Sequence, residues 1–226
     1  INYTSGTTGR PKGVMYSHRG AALNAMGQIG THGLSRDTTF LWTLPMFHCN
    51  GWCMPWAVTG AAGVHICLRT IDPPEIFRLI QDHGVTHFNG APTVLLMLGT
   101  DPSAQGIHFD PPIRVCTGGA PPSPTLLANM ESLGFSITHL YGLTETYGPH
   151  VFCEMQEGWD ELDVESRAQK MSRQGVPFLY ATHLRVVDED MRDVPCDTRT
   201  VGEVVMRGNN VMLLSHIHIS EPTRPR

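Results

Sequence analysis

Strand-like and helix-like segments alternate along most of the chain. Short apolar runs bounded by Gly, Pro or polar residues predict strands, and they include "GVMYSH", "TFLWTLP", "GVHICL", "VTHFNG", "IRVCTGG" and "SITHLYG". The clearest helix is "PPEIFRLIQDHG", in which prolines mark the start, apolar residues recur at 76, 77, 79 and 80, and Gly84 marks the end. This alternation predicts an α/β fold with a mainly parallel sheet and flanking helices.

Two further helical segments precede that helix. Arg19 to His32 is rich in Ala, Leu and Met, and Asn50 to Ala61 is almost wholly apolar, so the second is expected to be a buried helix. "APTVLLMLG" and "SPTLLANMESLG" each follow a predicted strand and repeat the strand-then-helix pattern. Beyond residue 155, a polar stretch predicts a loop with a short helix. "HLRVVDED" and "GEVVMRG" then predict two strands of a β subdomain.

Composition narrows the class of protein. The chain has 226 residues, 41% hydrophobic and 16% charged, with a formal net charge of −5, which is typical of a globular protein and disfavours a nucleic-acid partner. We find no apolar run as long as a membrane span and no signal peptide. The six cysteines form no C-x-x-C pair and lie in apolar runs, so we expect reduced thiols, a cytoplasmic location and no metal site at "HCNGWC".

Glycines and hydroxyl residues surround one lysine in "YTSGTTGRPKG" near the start of the chain. Glycines let a backbone approach an anion, hydroxyls add donors, and Lys12 adds positive charge, so the stretch predicts a phosphate-binding loop. It does not match the Walker A loop, because Lys12 follows Pro11 and is followed by Gly13 where that motif has Ser or Thr. A flexible surface turn is the alternative.

Gly- and Pro-rich joints follow three of the predicted strands, at "NGAP", "GGAPPSP" and "YGLTET". These joints therefore lie at the carboxyl ends of the strands, which is the edge where open α/β sheets bind ligands. Four of the segments, "YTSGTTGRPKGV", "GGAPPSP", "YGLTET" and the later "GEVVMRGNNVM", taken in this order with "LPMFHCNG" between the first two, resemble the adenylate-forming superfamily of acyl-CoA synthetases, peptide-synthetase adenylation domains and firefly-type luciferases. The resemblance covers residues 1 to about 213, and four ordered motifs make it specific.

The resemblance implies a role for each matching position. ATP would be bound at Thr4, Ser5, Gly6, Thr7, Thr8, Gly9, Lys12, Gly119, Ala120, Pro121, Tyr141, Gly142 and Thr144, with Tyr141 on the adenine and Thr144 on the α-phosphate. Glu145 would bind Mg²⁺. His48, Trp52, Gly90 and Gly118 would line the acyl pocket. The catalytic set would be Lys12, Thr144 and Glu145.

The implied chemistry joins a carboxylate to the α-phosphate of ATP and then transfers the acyl group to coenzyme A. Mg²⁺ and donor groups would neutralise the phosphoryl charge. Each role has a structural alternative: Tyr141 as a core aromatic, Glu145 as an acid at a helix N-terminus, and His48 as a core histidine. No acidic residue lies in the pocket stretches to pair with an amino group, so a short- or medium-chain carboxylic acid is favoured over an amino acid.

Alternatives for the whole chain are an adenylation domain that loads a carrier protein, a luciferase-like oxygenase and a non-catalytic nucleotide-binding fragment. The resemblance implies αβαβα-type layers, of which residues 1–213 would be part of the large domain. The segment 214–226 has no counterpart, and its "HISEPTR" is typical of a translated sequencing adapter, with a natural divergent tail as the alternative. We expect the small C-terminal domain and its catalytic lysine to be absent, and this chain alone to be inactive.

Overall fold

The strands and helices follow the predicted alternation. The computed structural model describes residues 1–4, 11–197 and 199–216. The strands are β1 (Asn2–Thr4), β2 (Lys12–Met15), β3 (Thr39–Trp42), β4 (Val64–Cys67), β5 (His87–Gly90), β6 (Ile113–Thr117), β7 (Phe135–Leu143), β8 (Gly148–Cys153), β9 (Val176–Pro177), β10 (Ala181–Val187), β11 (Glu203–Gly208) and β12 (Leu214–His216). The helices are α1 (His18–His32), α2 (Cys49–Trp52), α3 (Met54–Gly60), α4 (Pro73–His83), α5 (Pro92–Thr100), α6 (Pro124–Ser132) and α7 (Val164–Met171).

Seven strands form the central sheet in the order β4-β3-β5-β6-β7-β8-β9. The first five are parallel, and β8 and β9 add antiparallel strands at one side, which confirms the predicted mainly parallel α/β fold. β3 lies between β4 and β5. The connection after β3 therefore leads to the neighbouring strand on one side of it, and the connection after β4 leads back to the strand on the other side. The strand order therefore changes direction at β3, and crevices at such points are where open α/β sheets bind ligands.

Apolar side chains cover the two faces of the sheet differently. On one face, Phe88, Ile76, Leu95, Leu98 and Met130 are fully buried between the strands and helices α4 to α6. On the other face, a cluster around Phe40, Met54 and Ala57 packs under α1 and α3. A third cluster, around Trp52, Leu140 and Phe178, lies beside the carboxyl ends of the strands.

Helix α1 carries a buried polar stripe. Ser17 caps its start by accepting from the Gly20 amide, and Gly33 ends it in the left-handed conformation. Asn24, Gln28 and His32 recur every four residues on the face that packs against the protein, and all three are buried. The helix predicted for Arg19–His32 is confirmed, and its inward face is polar because these side chains bond to backbone and side-chain groups of other elements.

The continuous helix predicted for residues 50–61 is wrong at its start. Five successive residues, Cys49 to Cys53, have positive φ between 43° and 65°, so α2 is a left-handed turn and the regular helix begins at Met54. Left-handed backbone is costly for residues other than glycine. Packing imposes it here, because a Cβ on Gly51 would lie 2.8 Å from the Trp42 ring and because the Trp52 side chain is buried in the core.

Short strands outside the central sheet bring distant segments together. β10 and β11 are the two strands predicted beyond residue 155, and they pair in antiparallel fashion. β1, β2 and β12 form a separate sheet in which both outer strands run antiparallel to β2. The first residues of the predicted tail thus belong to β12, whereas residues 217–226 lie outside the described part of the chain. None of the helices among the described residues is long and apolar enough to cross a membrane.

Candidate active site

The residues that flank the predicted phosphate-binding loop face each other across a β-hairpin. Thr4 ends β1, Lys12 begins β2, and the two are Cα partners in the antiparallel ladder. Residues 5–10 between them, which include the predicted Ser5, Gly6, Thr7, Thr8 and Gly9, lie outside the described part of the chain. The hairpin therefore brings the two ends of the predicted loop together, with the half-buried Lys12 at its base.

Thr144 and Glu145 lie in the turn of the β7–β8 hairpin, at the carboxyl end of β7. Backbone carbonyls from 144 to 149 all accept hydrogen bonds, and most of their donors are distant in sequence. The donors are Tyr16 Oη to Thr144 O (2.6 Å), Met212 N to Glu145 O (2.8 Å), Asn210 Nδ2 to Thr146 O (2.7 Å), Asn24 Nδ2 to Tyr147 O (3.0 Å), Thr146 Oγ1 to Gly148 O (2.7 Å) and Tyr180 Oη to Pro149 O (3.1 Å). Such complete pairing fixes the backbone of this turn.

The hairpin that carries the turn is narrow because of Gly142. A Cβ at this position would lie 2.0 Å from the carbonyl oxygen of Gly148 on the opposite strand. The predicted nucleotide contact at Gly142 thus has a packing role as well, since any side chain would push the two strands apart and displace Thr144.

A small cavity lies beside this hairpin. Its volume is ≈ 40 Å³, and its lining residues are His48, Cys49, Trp52, Gly118, Gly119, Leu140, Gly142, Gly148 and Pro149. The cavity unites three of the predicted pocket residues, His48, Trp52 and Gly118, with two of the predicted nucleotide contacts. Gly90 is not among its lining residues: it is buried at the end of β5, where a Cβ would contact Thr43 and Val94.

The left-handed turn α2 points two side chains toward this cavity. Trp52 is 5% exposed, and its ring packs on Gly118, where an added Cβ would lie 3.2 Å from the indole. The thiol of Cys49 lies 3.3 Å from the hydroxyl of Thr144, so it connects the cavity wall to the β7–β8 turn. His48 immediately before the turn is exposed, which rules out its alternative as a core histidine.

The predicted adenine-binding residues lie on the outside of the same edge. Gly119, Ala120 and Pro121 are exposed in the connection from β6 to α6, and a Cβ on Gly119 would meet nothing within 4 Å. Tyr141 is half-buried on β7, one residue before Gly142. The space around Gly119 is thus open at the carboxyl end of β6, the strand that pairs with the Tyr141 strand β7.

Burial changes the acidity of several groups behind the site. It raises the pKa of Tyr16 well above its usual value, and it raises the pKa of Tyr147 to about 12. Burial also raises the pKa of the Cys49 thiol, although the hydrogen bond with Thr144 opposes this shift. These groups therefore stay protonated at neutral pH, and the Tyr16 hydroxyl acts as a donor to the Thr144 carbonyl.

Metal ligands are sparse in this region. Among residues 1–4, 11–197 and 199–216, no three His, Cys, Asp or Glu side chains are grouped to hold a metal ion. Glu145 is half-buried in the turn, and one carboxylate matches the way Mg²⁺ is usually held, by one or two carboxylates together with phosphate oxygens and water. The donor set thus fits a magnesium ion that arrives with a nucleotide.

Sequence reasoning missed the residues that support the site from behind. Tyr16 and Tyr147 stack with ring centroids 4.1 Å apart, and the Trp56 indole donates to the Tyr147 hydroxyl at 2.9 Å. Cys49 was assigned only to the reduced, buried thiols. Only their closeness to the motifs could have indicated these residues, because Tyr16 follows the phosphate-loop strand, Cys49 follows His48, and Tyr147 follows "TET".

Comparison with known proteins agrees with this arrangement. The AMP-binding enzyme family matches residues 1–214. The chain is 44% identical over 213 residues to 4-hydroxybutyrate–CoA ligase 2 of Metallosphaera sedula and 44% identical over 214 residues to acetate–CoA ligase CCL3 of Humulus lupulus. Each alignment includes 94% of this chain but only 39% or 38% of the relative, so the chain spans well under half of their length.

Solved structures share the fold. ATP-bound MatB from Rhodopseudomonas palustris superposes with a TM-score of 0.78 at 26% identity, over 96% of this chain and 41% of that protein. The O-succinylbenzoate coenzyme A synthetase of Bacillus subtilis, solved with ATP and magnesium, gives a TM-score of 0.79 at 24% identity, over 96% of this chain and 42% of that protein. The ordered motifs, the fold and the family match agree: this chain belongs to the AMP-binding enzyme family.

Proposed function

We propose that the chain is the nucleotide-binding part of an ATP-dependent carboxylic acid–CoA ligase. In this reaction the acid attacks the α-phosphate of ATP, an acyl-adenylate forms, and pyrophosphate leaves. The thiol of coenzyme A then attacks the acyl carbon and AMP leaves. The observation that carries the proposal is the turn of Thr144 and Glu145, whose backbone carbonyls all accept hydrogen bonds and which lies one side-chain contact from a small cavity.

Each residue has a role that its position supports. Lys12 would place positive charge at the base of the loop that binds the β- and γ-phosphates, and Thr4 would hold the other end of that loop. Thr144 would donate its hydroxyl to the α-phosphate, and Glu145 would hold Mg²⁺. The metal, when bound, neutralises charge on the phosphate oxygens. A rigid turn is suited to this task, because preorganised donors need no rearrangement as charge develops.

The cavity favours the short end of the predicted range of acids. A water molecule needs roughly 10–15 Å³ of such volume, so ≈ 40 Å³ accommodates a carboxylate with a short alkyl group. None of the lining residues is Asp or Glu, so nothing in the cavity wall would pair with the ammonium group of an amino acid. Trp52 forms the wall that limits the length of the acyl group.

The relatives support the same class of substrate and acceptor. Those named above act on 4-hydroxybutyrate and acetate, and a third, from Humulus lupulus, is a 2-methylpropanoate–CoA ligase. All three are named as CoA ligases, which favours coenzyme A over a carrier protein as the acceptor. Three Arabidopsis thaliana relatives are named peroxisomal, so the cytoplasmic location stays a prediction.

Pyrophosphate exchange tests the proposal. The complete protein that contains this chain is incubated with ATP, Mg²⁺ and labelled pyrophosphate, together with acetate, butyrate, 4-hydroxybutyrate, decanoate or a mixture of amino acids. We expect exchange with the short acids and acyl-CoA formation when coenzyme A is added. Exchange only with amino acids contradicts the acid class. Transfer to a carrier protein but not to coenzyme A supports the carrier-loading alternative, and no exchange with any acid supports a non-catalytic nucleotide-binding protein.

A further inference from the structure

One tyrosine joins the phosphate-loop strand to the turn that carries Thr144 and Glu145. Tyr16 directly follows β2, the strand that begins with Lys12, and its hydroxyl donates to the Thr144 carbonyl oxygen at 2.6 Å. The two residues are 128 positions apart in sequence. Because burial raises the pKa of Tyr16, its hydroxyl keeps its proton and remains a donor at neutral pH.

Contacts with neighbouring aromatic side chains fix the orientation of the Tyr16 ring and therefore the direction in which its hydroxyl points. It stacks on Tyr147 with an angle of 24° between the ring planes, and the Tyr147 hydroxyl accepts from the Trp56 indole. Tyr147 itself belongs to the β7–β8 turn and has the left-handed φ of 58°. The stacking therefore holds the ring of Tyr16 against Tyr147, and the hydrogen bond holds its hydroxyl at the Thr144 carbonyl.

A backbone connection joins the same two elements. The amides of Met212 and Leu213 are neighbours, and they donate to Glu145 O and Met15 O, each at 2.8 Å. Met15 is the last residue of β2. The strand that begins with Lys12 and the turn that carries Glu145 are thus connected twice, once through successive backbone amides and once through the Tyr16 side chain.

We propose that Tyr16 is a positioning residue that sets the distance between Lys12 and the Thr144–Glu145 turn. This inference rests on the proposed function, in which one triphosphate and its metal contact both elements at once. A ligand that spans two elements binds well only when their spacing matches its length. Tyr16 touches neither nucleotide nor metal in this proposal; it acts by fixing the carbonyl of the residue that does.

The test compares ATP binding with and without Mg²⁺. Calorimetric titration of the 226-residue chain with ATP gives the dissociation constant of ATP in EDTA and in Mg²⁺. The quantity compared is the constant in EDTA divided by the constant in Mg²⁺. In Tyr16→Phe only the hydroxyl is lost, and we expect this ratio to fall about threefold to tenfold, the range that the loss of one hydrogen bond corresponds to. The matched control is Tyr180→Phe, which removes the bond to Pro149 O, farther along the same hairpin, together with the bond that the hydroxyl accepts from Gln28 Nε2, and it should leave the ratio unchanged.

A double-mutant cycle with Glu145→Gln separates positioning from stability. If Tyr16 acts through the turn, Tyr16→Phe no longer changes the ratio once Glu145 has lost its charge. An unchanged ratio in the single variant overturns the proposal, even when thermal unfolding shows Tyr16→Phe to be less stable. An equal fall in Tyr16→Phe and Tyr180→Phe overturns it too, because a general loosening of the hairpin would explain both. No ATP binding by the unaltered chain overturns the proposed function and this inference together.

Discussion

The sulfur of Cys49 lies 3.3 Å from the hydroxyl oxygen of Thr144, and the two residues come from the left-handed turn and the β7–β8 hairpin. This contact joins the wall of the small cavity to the residue that we assign to the α-phosphate. Cys49 is 8% exposed and burial raises the pKa of its thiol. A protonated, buried thiol is a poor nucleophile, so this cysteine serves as a packing group in contact with Thr144.

Thiol labelling should therefore divide the six cysteines into two classes. Cys67 and Cys196 are exposed and the other four are buried, and burial raises the pKa of Cys53 and Cys116 to about 12. With a chromogenic disulfide at pH 7.4, we expect two thiols to react rapidly and the remainder only after denaturant is added. The variant with Cys67→Ser and Cys196→Ser should show no rapid phase. Rapid labelling of Cys49 in that variant would contradict its burial against Thr144.

Much of the fold follows from local patterns in the sequence. The strands "VTHFNG" and "IRVCTGG" and the helix that ends at Gly84 are confirmed, because apolar runs, proline starts and glycine ends determine such elements locally. The predicted site at the carboxyl edge also follows, since parallel strands bring the segments after them to one edge.

Contacts between distant segments explain what the sequence did not predict. The residues from Asn50 to Cys53 are predicted as the start of an apolar helix, and only the packing of Gly51 on Trp42 and the burial of Trp52 select the left-handed turn. Tyr16 and Asn24 carry no local signal of their partners, which are carbonyls more than a hundred residues away. The family resemblance implies that Gly90 lines the acyl pocket, whereas Gly90 is not among the residues that line this cavity.

Two glycines of α1 should respond oppositely to alanine. A Cβ on Gly27 would lie 2.2 Å from the ring of the buried Tyr180, whereas a Cβ on the exposed Gly30 would have its nearest neighbour at 4.0 Å. We expect Gly27→Ala to lower the free energy of unfolding by about 1–3 kcal/mol through overpacking. Gly30→Ala should raise it by up to about 1 kcal/mol through helix propensity. Urea unfolding of both variants measures these free energies. A Gly27→Ala variant as stable as the unaltered chain would contradict the packing of Tyr180 on α1.

Acid should destabilise the chain through a buried histidine. Burial, reinforced by the nearby His87 and Arg114, lowers the pKa of His32 to about 3 from the ordinary value of 6.5. Below pH 6.5 the unfolded state therefore binds a proton that the folded state does not, so stability falls as pH falls toward 3. Between pH 7 and pH 5 this one group removes about 2 kcal/mol from the free energy of unfolding.

Substitution of His32 checks the assignment. His32→Gln should be less stable at pH 7, because the packing on Phe178 is lost, but its stability should fall less steeply between pH 7 and pH 5. The exposed His18 provides the matched control, and His18→Gln should keep the full pH dependence. Urea titrations at the two pH values give both results. An equal slope in His32→Gln and the unaltered chain would show that other groups, such as His87 and His139, carry the acid sensitivity.

Trp52 should set the length of the acid. Its ring lies against Gly118 at one wall of the ≈ 40 Å³ cavity, so a smaller side chain enlarges the space available to an acyl group. In the complete protein, we expect Trp52→Leu to raise the ratio of kcat/KM for hexanoate over acetate by roughly tenfold, since each methylene accommodated in an apolar site contributes about 1 kcal/mol. Trp159→Leu, near α7 and away from the cavity, controls for the loss of a tryptophan. A fall in activity with both acids and no change in their ratio would mean that Trp52 supports the fold without selecting the substrate.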